Sequence, residues 1–278
     1  MKKAIVLFVP DLIFLTFLEN AVRRSGFEPV EVSVTWLKSN FKQEAEASSN
    51  AFSLSDHLVD YLSQLQPALV IVDIGDSTTR WREWLSIIKT DPSTRRIPVI
   101  CFGPHVNAEA LQTASNLGPE VVTGRSNIHE NIETLIIIWA LVKNPADYVE
   151  GCNQELAKVA QEGIQAFNQG RFFEAHELLE HAWNNEPTPG QDLYRALLQT
   201  AVAYYQIERS NYRGAIKIFR RLRQWINPLP DVCRGVNIKK LKEDVEKIEA
   251  LLPERNTARG GEGLIFQPIE YHGFKEGE

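Results

Sequence analysis

Leu69-Val-Ile-Val-Asp73 is a run of four branched aliphatic residues closed by an acid. It is too short for a helix and has no polar alternation. It reads as a strand buried on both faces, ending where a carboxylate can face solvent. Similar runs occur at Ala4–Val9, Pro29–Val34, Ile97–Phe102 and Glu120–Thr123, with Ala68 extending the first. Stretches with helical periodicity separate them: Leu12–Ser25, Ser55–Gln64, Trp81–Thr90, Ala108–Leu117 and Asn127–Val142. Strictly alternating strands and helices predict a parallel sheet covered on both faces, the doubly wound flavodoxin-like arrangement, in residues 1–145. Ligands of such sheets sit beyond the carboxyl ends of the strands. The polar stretch Leu37–Ser53 reads as an exposed loop.

Beyond residue 146 the pattern changes. Residues 151–252 read almost wholly as helix, with turns at Asn168–Gly170, Glu186–Gly190, Ser210-Asn211 and Asn227–Pro230. From Pro253 to residue 278 the chain is polar and reads as a C-terminal arm, loose except where Leu264-Ile-Phe266 and Ile269–Tyr271 offer docking residues. The expected architecture is thus α/β followed by an all-α bundle.

The 278 residues are 44% hydrophobic and 24% charged, with a net charge of −6. This composition excludes a disordered chain and a protein that coats nucleic acid or an anionic membrane. The longest apolar run, Leu135–Val142, is far short of the roughly 20 residues of a membrane span. Pro10 and Asp11 break the apolar N-terminus, which reads as strand, loop and helix and not as a targeting signal. Cys101, Cys152 and Cys233 are too few and scattered for a disulfide framework or a zinc cage, which suggests a reducing, cytoplasmic setting.

Residues 3–142 resemble the receiver domain of bacterial response regulators. The resemblance rests on Leu69-Val-Ile-Val-Asp73, Val6-Leu-Phe-Val-Pro-Asp11, Pro98-Val-Ile-Cys-Phe-Gly103 and Val121-Val-Thr-Gly-Arg125. It implies that Asp73 is the phosphoacceptor and that Asp11 and Asp73 are the carboxylates available to Mg²⁺, weakened as a set because Pro10 replaces the first acid. It also implies that Gly103 stands where a switch hydroxyl belongs and Arg125 about where a lysine reads the phosphate, with Ser126 in place of the usual proline. Two groups survive, one is altered and two are lost, a pattern that favours a pseudo-receiver over a working switch.

The second half carries Asn168-Gln-Gly-Arg-Phe-Phe-Glu-Ala-His-Glu-Leu-Leu-Glu-His-Ala-Trp183, followed by Leu197-Leu-Gln-Thr-Ala-Val-Ala-Tyr-Tyr205. Residues 155–225 closely resemble the helical family DUF309, which brings no biochemical function with it. The family pattern has glutamine at the position of Arg195 and histidine at that of Gln206. On a helix, Glu174, Glu177 and His181 share a face with Glu180 at its edge, and His176, Glu180 and Trp183 share the neighbouring face. Such a set could bind a metal or move protons. It could equally be a structural polar network, with Glu177 or Glu180 on Arg195 and His176 beside Gln199, and the replacements favour that reading. Phe172, Ala175, Leu178, Leu179 and Ala182 recur as Tyr212, Ala215, Ile218, Phe219 and Leu222, a spacing suggestive of tetratricopeptide-like hairpins. Arg209, Arg213, Lys217 and Arg221 fall at helical spacing and form a basic stripe, read first as a solvated face.

These features predict a non-enzymatic signalling or scaffolding protein with a protein partner and no nucleic-acid partner. The rivals are a metal-binding or catalytic helical domain and a regulator switched at Asp73. A DNA-binding regulator finds no helix-turn-helix and little charge in its favour.

Overall fold

A computed structural model of the chain describes residues 3–32, 54–75, 80–143, 145–187, 190–255 and 266–273. The chain divides into two compact units, Met1–Val142 and Lys143–Glu278.

The first unit is built on five strands: β1 (Ala4–Phe8), β2 (Glu28–Glu31), β3 (Leu69–Asp73), β4 (Val99–Gly103) and β5 (Val121–Gly124). All pair in parallel, in the order β2-β1-β3-β4-β5. This is the flavodoxin-like order, whose chain reverses direction across the sheet between β1 and β3. The helices are α1 (Leu12–Arg24), α2 (Leu54–Leu65), α3 (Trp81–Thr90), α4 (Ala108–Asn116) and α5 (Arg125–Trp139).

Alternation along the strands divides the core into two layers. Ile5, Leu7, Leu69 and Ile71 pack with Leu18 and Val22 of α1 and Ile128, Ile132 and Ile136 of α5. Val6, Phe8, Val70 and Val72 face Leu58, Leu62, Trp81, Trp84 and Leu85 from α2 and α3. The apolar runs of β1, β3 and β4 are buried end to end because helices cover both sides. Pro29, which lacks an N–H to donate, is accommodated because β2 lies at the sheet edge. The stretch Leu37–Ser53 lies outside the described residues. α5 starts at Arg125, two residues before the expected Asn127, so the chain turns from strand to helix without a loop.

The second unit holds α6 (Pro145–Cys152), α7 (Lys158–Asn168), α8 (Phe172–Asn184), α9 (Gln191–Glu208), α10 (Tyr212–Ile226) and α11 (Ile238–Arg255). Short turns join α7 to α10 into successive packed hairpins. Gly170 supplies a left-handed conformation between α7 and α8 (φ 76°), and Asn211 caps α10 by accepting from the Gly214 N–H. Phe167, Leu179, Tyr194, Leu197 and Phe219 fill the centre.

Two features depart from the expectations, a hairpin and a disulfide. A small hairpin, β6 (Val232–Cys233) and β7 (Val236–Asn237), interrupts the helices. Its turn, Arg234-Gly235, has positive φ at both residues (49° and 80°), as a two-residue hairpin turn requires. Cys152 and Cys233 form a disulfide, whereas Cys101 is free and buried in the first unit. The partners lie 81 residues apart, and only the hairpin brings them together, so spacing alone gave no sign of the bond. Residues 266–273 of the arm are docked. Phe266 packs on Phe167, Phe172 and Tyr204, and Ile269 is buried. The Asn168 side-chain amide donates to the Ile269 carbonyl (2.9 Å) and accepts from its N–H (2.8 Å). Tyr271 bridges antiparallel to Val236. Among the described residues no helix is long and apolar enough to cross a membrane.

Candidate functional site

Asp11, Asp73, Gly103 and Arg125 follow or end strands β1, β3, β4 and β5, so parallel pairing brings them to one carboxyl edge. Asp73 is the deepest, with a side chain 1% exposed. Its Oδ1 accepts from the Gly75 N–H at 2.9 Å, and its Oδ2 accepts from Arg125 Nη2 at 2.5 Å. Arg125 also donates through Nη1 to Asp11 Oδ2 at 2.8 Å. The other Asp11 oxygen caps α1, accepting from the Ile13 and Phe14 N–H groups at 3.1 Å each. One guanidinium therefore spans two carboxylates, and both acids are also anchored to backbone.

The cation is held from the side as well. Arg125 Cζ lies 4.7 Å from the centre of the Phe14 ring and 5.8 Å from that of Phe102. An arginine stacked on aromatics and forked between carboxylates has few alternative rotamers.

The three groups shift one another's protonation. The Phe14 N–H and then the Arg125 guanidinium hold the Asp11 carboxyl below its ordinary range. Burial pushes the Asp73 carboxyl up, opposed by the Gly75 N–H and the charge of Arg125. Burial works against the Arg125 charge, yet its bond to Asp11 and the field of Asp73 raise its affinity for the proton.

The surroundings are tight. Pro10, Gly75 and Pro104 line the cleft with the charged triad. A Cβ on Gly75 would lie 2.7 Å from Pro104 Cδ, and one on Gly103 would lie 3.0 Å from Ile74 Cγ1. The missing hydroxyl at 103 is thus matched by local packing that leaves little room for one. The His105 ring lies over Gly124, where a Cβ would overlap it, and Nε2 contacts Ser126 Oγ at 2.7 Å. Thr123 Oγ1 accepts from the Asn127 side chain, a local bond at the start of α5.

A divalent cation at this edge would need several oxygen ligands in near-octahedral array. Among the described residues two carboxylates, Asp11 and Asp73, line this cleft, and the guanidinium is bonded to both. These described residues do not fit Mg²⁺, because the guanidinium occupies the place between the two acids.

In the second unit the Glu/His set lies on α8, largely at the surface. Glu174 is bound by Arg171, and Glu177, Glu180 and His181 are exposed. His176 is half-buried, its Nε2 3.9 Å from Glu180 Oε2. Among the described residues no group of three or more His, Cys, Asp or Glu converges as metal ligands would. Arg195 lies between two indoles, its Cζ 4.6 Å from the Trp183 ring centre and 4.5 Å from that of Trp225. Gln199, also half-buried, lies one turn along the same helix.

Sequence reasoning missed Phe14, Gly75, Pro104 and His105, which become neighbours only through the sheet. It also missed Arg234, 3% exposed, which donates to Gly151 O (2.8 Å), Glu186 Oε2 (2.6 Å), Tyr194 Oη (2.9 Å) and Gln154 Oε1 (2.9 Å). The dipeptide Arg234-Gly235 after Pro228 and Pro230 was the available turn signal.

Residues 160–218 match a family described as a domain of unknown function, DUF309. An uncharacterized protein of Aquifex aeolicus (strain VF5) is 27% identical over 95 residues, 33% of this chain. The chain spans only 28% of that relative's length. Among solved structures, the N-terminal half is similar to response regulator receiver domains. The receiver domain from Rhodospirillum rubrum is 21% identical, with 50% of this chain and 95% of that one covered and a TM-score of 0.38. The phosphorylated cyanobacterial phytochrome response regulator RcpA is 20% identical, with 50% and 94% covered and a TM-score of 0.37.

Proposed function

We propose that this protein is a non-enzymatic signalling or scaffolding protein, in which a phosphorylation-independent receiver-like unit is joined to a helical protein-binding unit. The observation that supports this is the bridge from Arg125 to both Asp11 and Asp73. A phosphoryl donor must approach an Asp73 oxygen with a metal ion between the carboxylates. Here one Asp73 oxygen faces the Gly75 N–H, the other faces Arg125, and the guanidinium supplies the positive charge permanently. The unit is thereby held in one charge state without turnover.

The test is incubation with acetyl phosphate and Mg²⁺, read by intact mass, beside a receiver domain known to label. The expected result is no adduct on the wild-type chain. An adduct on wild type that is absent from Asp73→Ala overturns the reading. The proposed partner is a protein that meets the helical unit.

A further inference from the structure

Trp183, Arg195 and Trp225 form a stack from three successive helices, α8, α9 and α10. A guanidinium between two indoles is screened from water on both faces, while its N–H groups point outward in its plane. Among the described residues, the Arg195 guanidinium makes no hydrogen bond. The Trp183 Nε1–H beside it is buried and has no acceptor. Buried donors are nearly always paired, so an unpaired indole N–H next to an unpaired guanidinium marks a place short of acceptors.

The charges agree. Burial lowers the proton affinity of Arg195, and the charge of Arg221 lowers it further. Asp192, one turn earlier on the same helix, attracts the Arg195 charge, but the Asp192 Oδ2 already accepts from Lys143 (2.9 Å) and Tyr148 (2.7 Å). The Arg195 guanidinium and the unpaired Trp183 N–H thus lie side by side, in the field of a second cation.

We propose that the Trp183–Arg195–Trp225 stack is an oxyanion-binding site, taking a carboxylate or phosphate group in the plane of the Arg195 guanidinium. The planar fork matches two oxygens of either group, and Arg221 adds attraction. An oxyanion there satisfies the stranded donors and relieves the repulsion between the arginines. The two sources with this chemistry are an acidic side chain of a partner and a phosphate ester. The inference rests on the helical unit being the binding half of the protein, and not on the inertness of Asp73.

The test follows the indole ¹H–¹⁵N signals of the full chain, with Trp183→Phe identifying the Trp183 signal. Inorganic phosphate and glutarate are titrated separately against a sodium chloride control of equal ionic strength. The expected result is a saturable shift of the Trp183 signal, weakened about tenfold in apparent affinity by Arg195→Gln. Arg195→Lys, which keeps the charge and loses the fork, is expected to weaken it as well and guards against a misfolded glutamine variant. Tighter binding of phosphate identifies a phosphate ester as the source, and tighter binding of glutarate an acidic side chain. A shift matched by chloride, or saturable binding that survives both Arg195 variants, overturns the proposal. Neither result bears on phosphate transfer to Asp73, which the mass experiment reads separately.

Discussion

Arg125 Nη2 lies 2.5 Å from Asp73 Oδ2, joining the first residue of α5 to the last of β3 across 52 positions of sequence. The same guanidinium reaches Asp11, so a residue of the fold bridges the two acids.

Removing that cation leaves Asp73 buried without its counter-charge, holding, among the described residues, only the Gly75 N–H. Arg125→Ala is expected to destabilise the first unit by about 2–3 kcal/mol at pH 7. Burial already raises the Asp73 pKa, and loss of Arg125 raises it further. A carboxyl whose folded pKa exceeds its unfolded value of 3.8 favours folding most at low pH, and that gain disappears as pH rises through the folded pKa. The deficit of Arg125→Ala should therefore shrink on acidification toward pH 4, and Asp73→Asn should rescue it at pH 7. Denaturant melts at both pH values check this.

Asp11 behaves in the opposite sense. Its depressed pKa means that its contribution is present above 3.8 and is lost as pH falls through the lower, folded value. Carboxyl NMR titration should place Asp11 below 3.8 and Asp73 above it. Asp11→Ala also removes the cap of α1, so a lower melting temperature of the first unit is expected.

Restoring the hydroxyl alone should not restore a switch. Gly103→Ser places a Cβ 3.0 Å from Ile74 Cγ1 and leaves Arg125 between the acids. The expected outcome is a loss of about 1 kcal/mol and still no mass adduct with acetyl phosphate.

The Cys152–Cys233 bond closes a separation of 81 residues. Reduction, or Cys152→Ala, should lower the stability of the helical unit by about 4 kcal/mol if the denatured-chain entropy dominates. Arg234 keeps its bonds to Gly151 O and Cys152 O, so the unit should remain folded. Thermal melts with and without dithiothreitol check both points, and thiol counting on protein taken directly from cells reports which form the compartment maintains.

Asn168 holds Ile269 by two hydrogen bonds and Phe266 sits among three aromatic rings. Phe266→Ala should cost about 2 kcal/mol, below the figure for a fully buried phenylalanine because Phe266 is half-buried. Faster proteolysis after residue 266 would accompany it.

The sheet was legible from sequence because strands buried on both faces have to be continuous apolar runs, and Leu69–Val72 is one. The strand ends at Asp11, Asp73, Gly103 and Arg125 could be read in the same way, since a parallel sheet collects them at one edge. The meaning of Arg125 was not legible. A basic residue after β5 reads alike whether it senses a phosphate or holds two acids, and only the placement of Phe14, Phe102 and both carboxylates decides. The helical half shows the same division. Periodicity and prolines marked its helices, and helical spacing grouped Glu174, Glu177 and His181 on α8, where they are exposed and, among the described residues, gather no metal-ligand set. The stack of Trp183, Arg195 and Trp225, the disulfide and the docked arm depend on side chains far apart in the chain. Local sequence determines which segments bury apolar surface, because that follows from nearest neighbours. Which charges and rings finally meet is set by tertiary packing, which brings together residues that no local pattern relates.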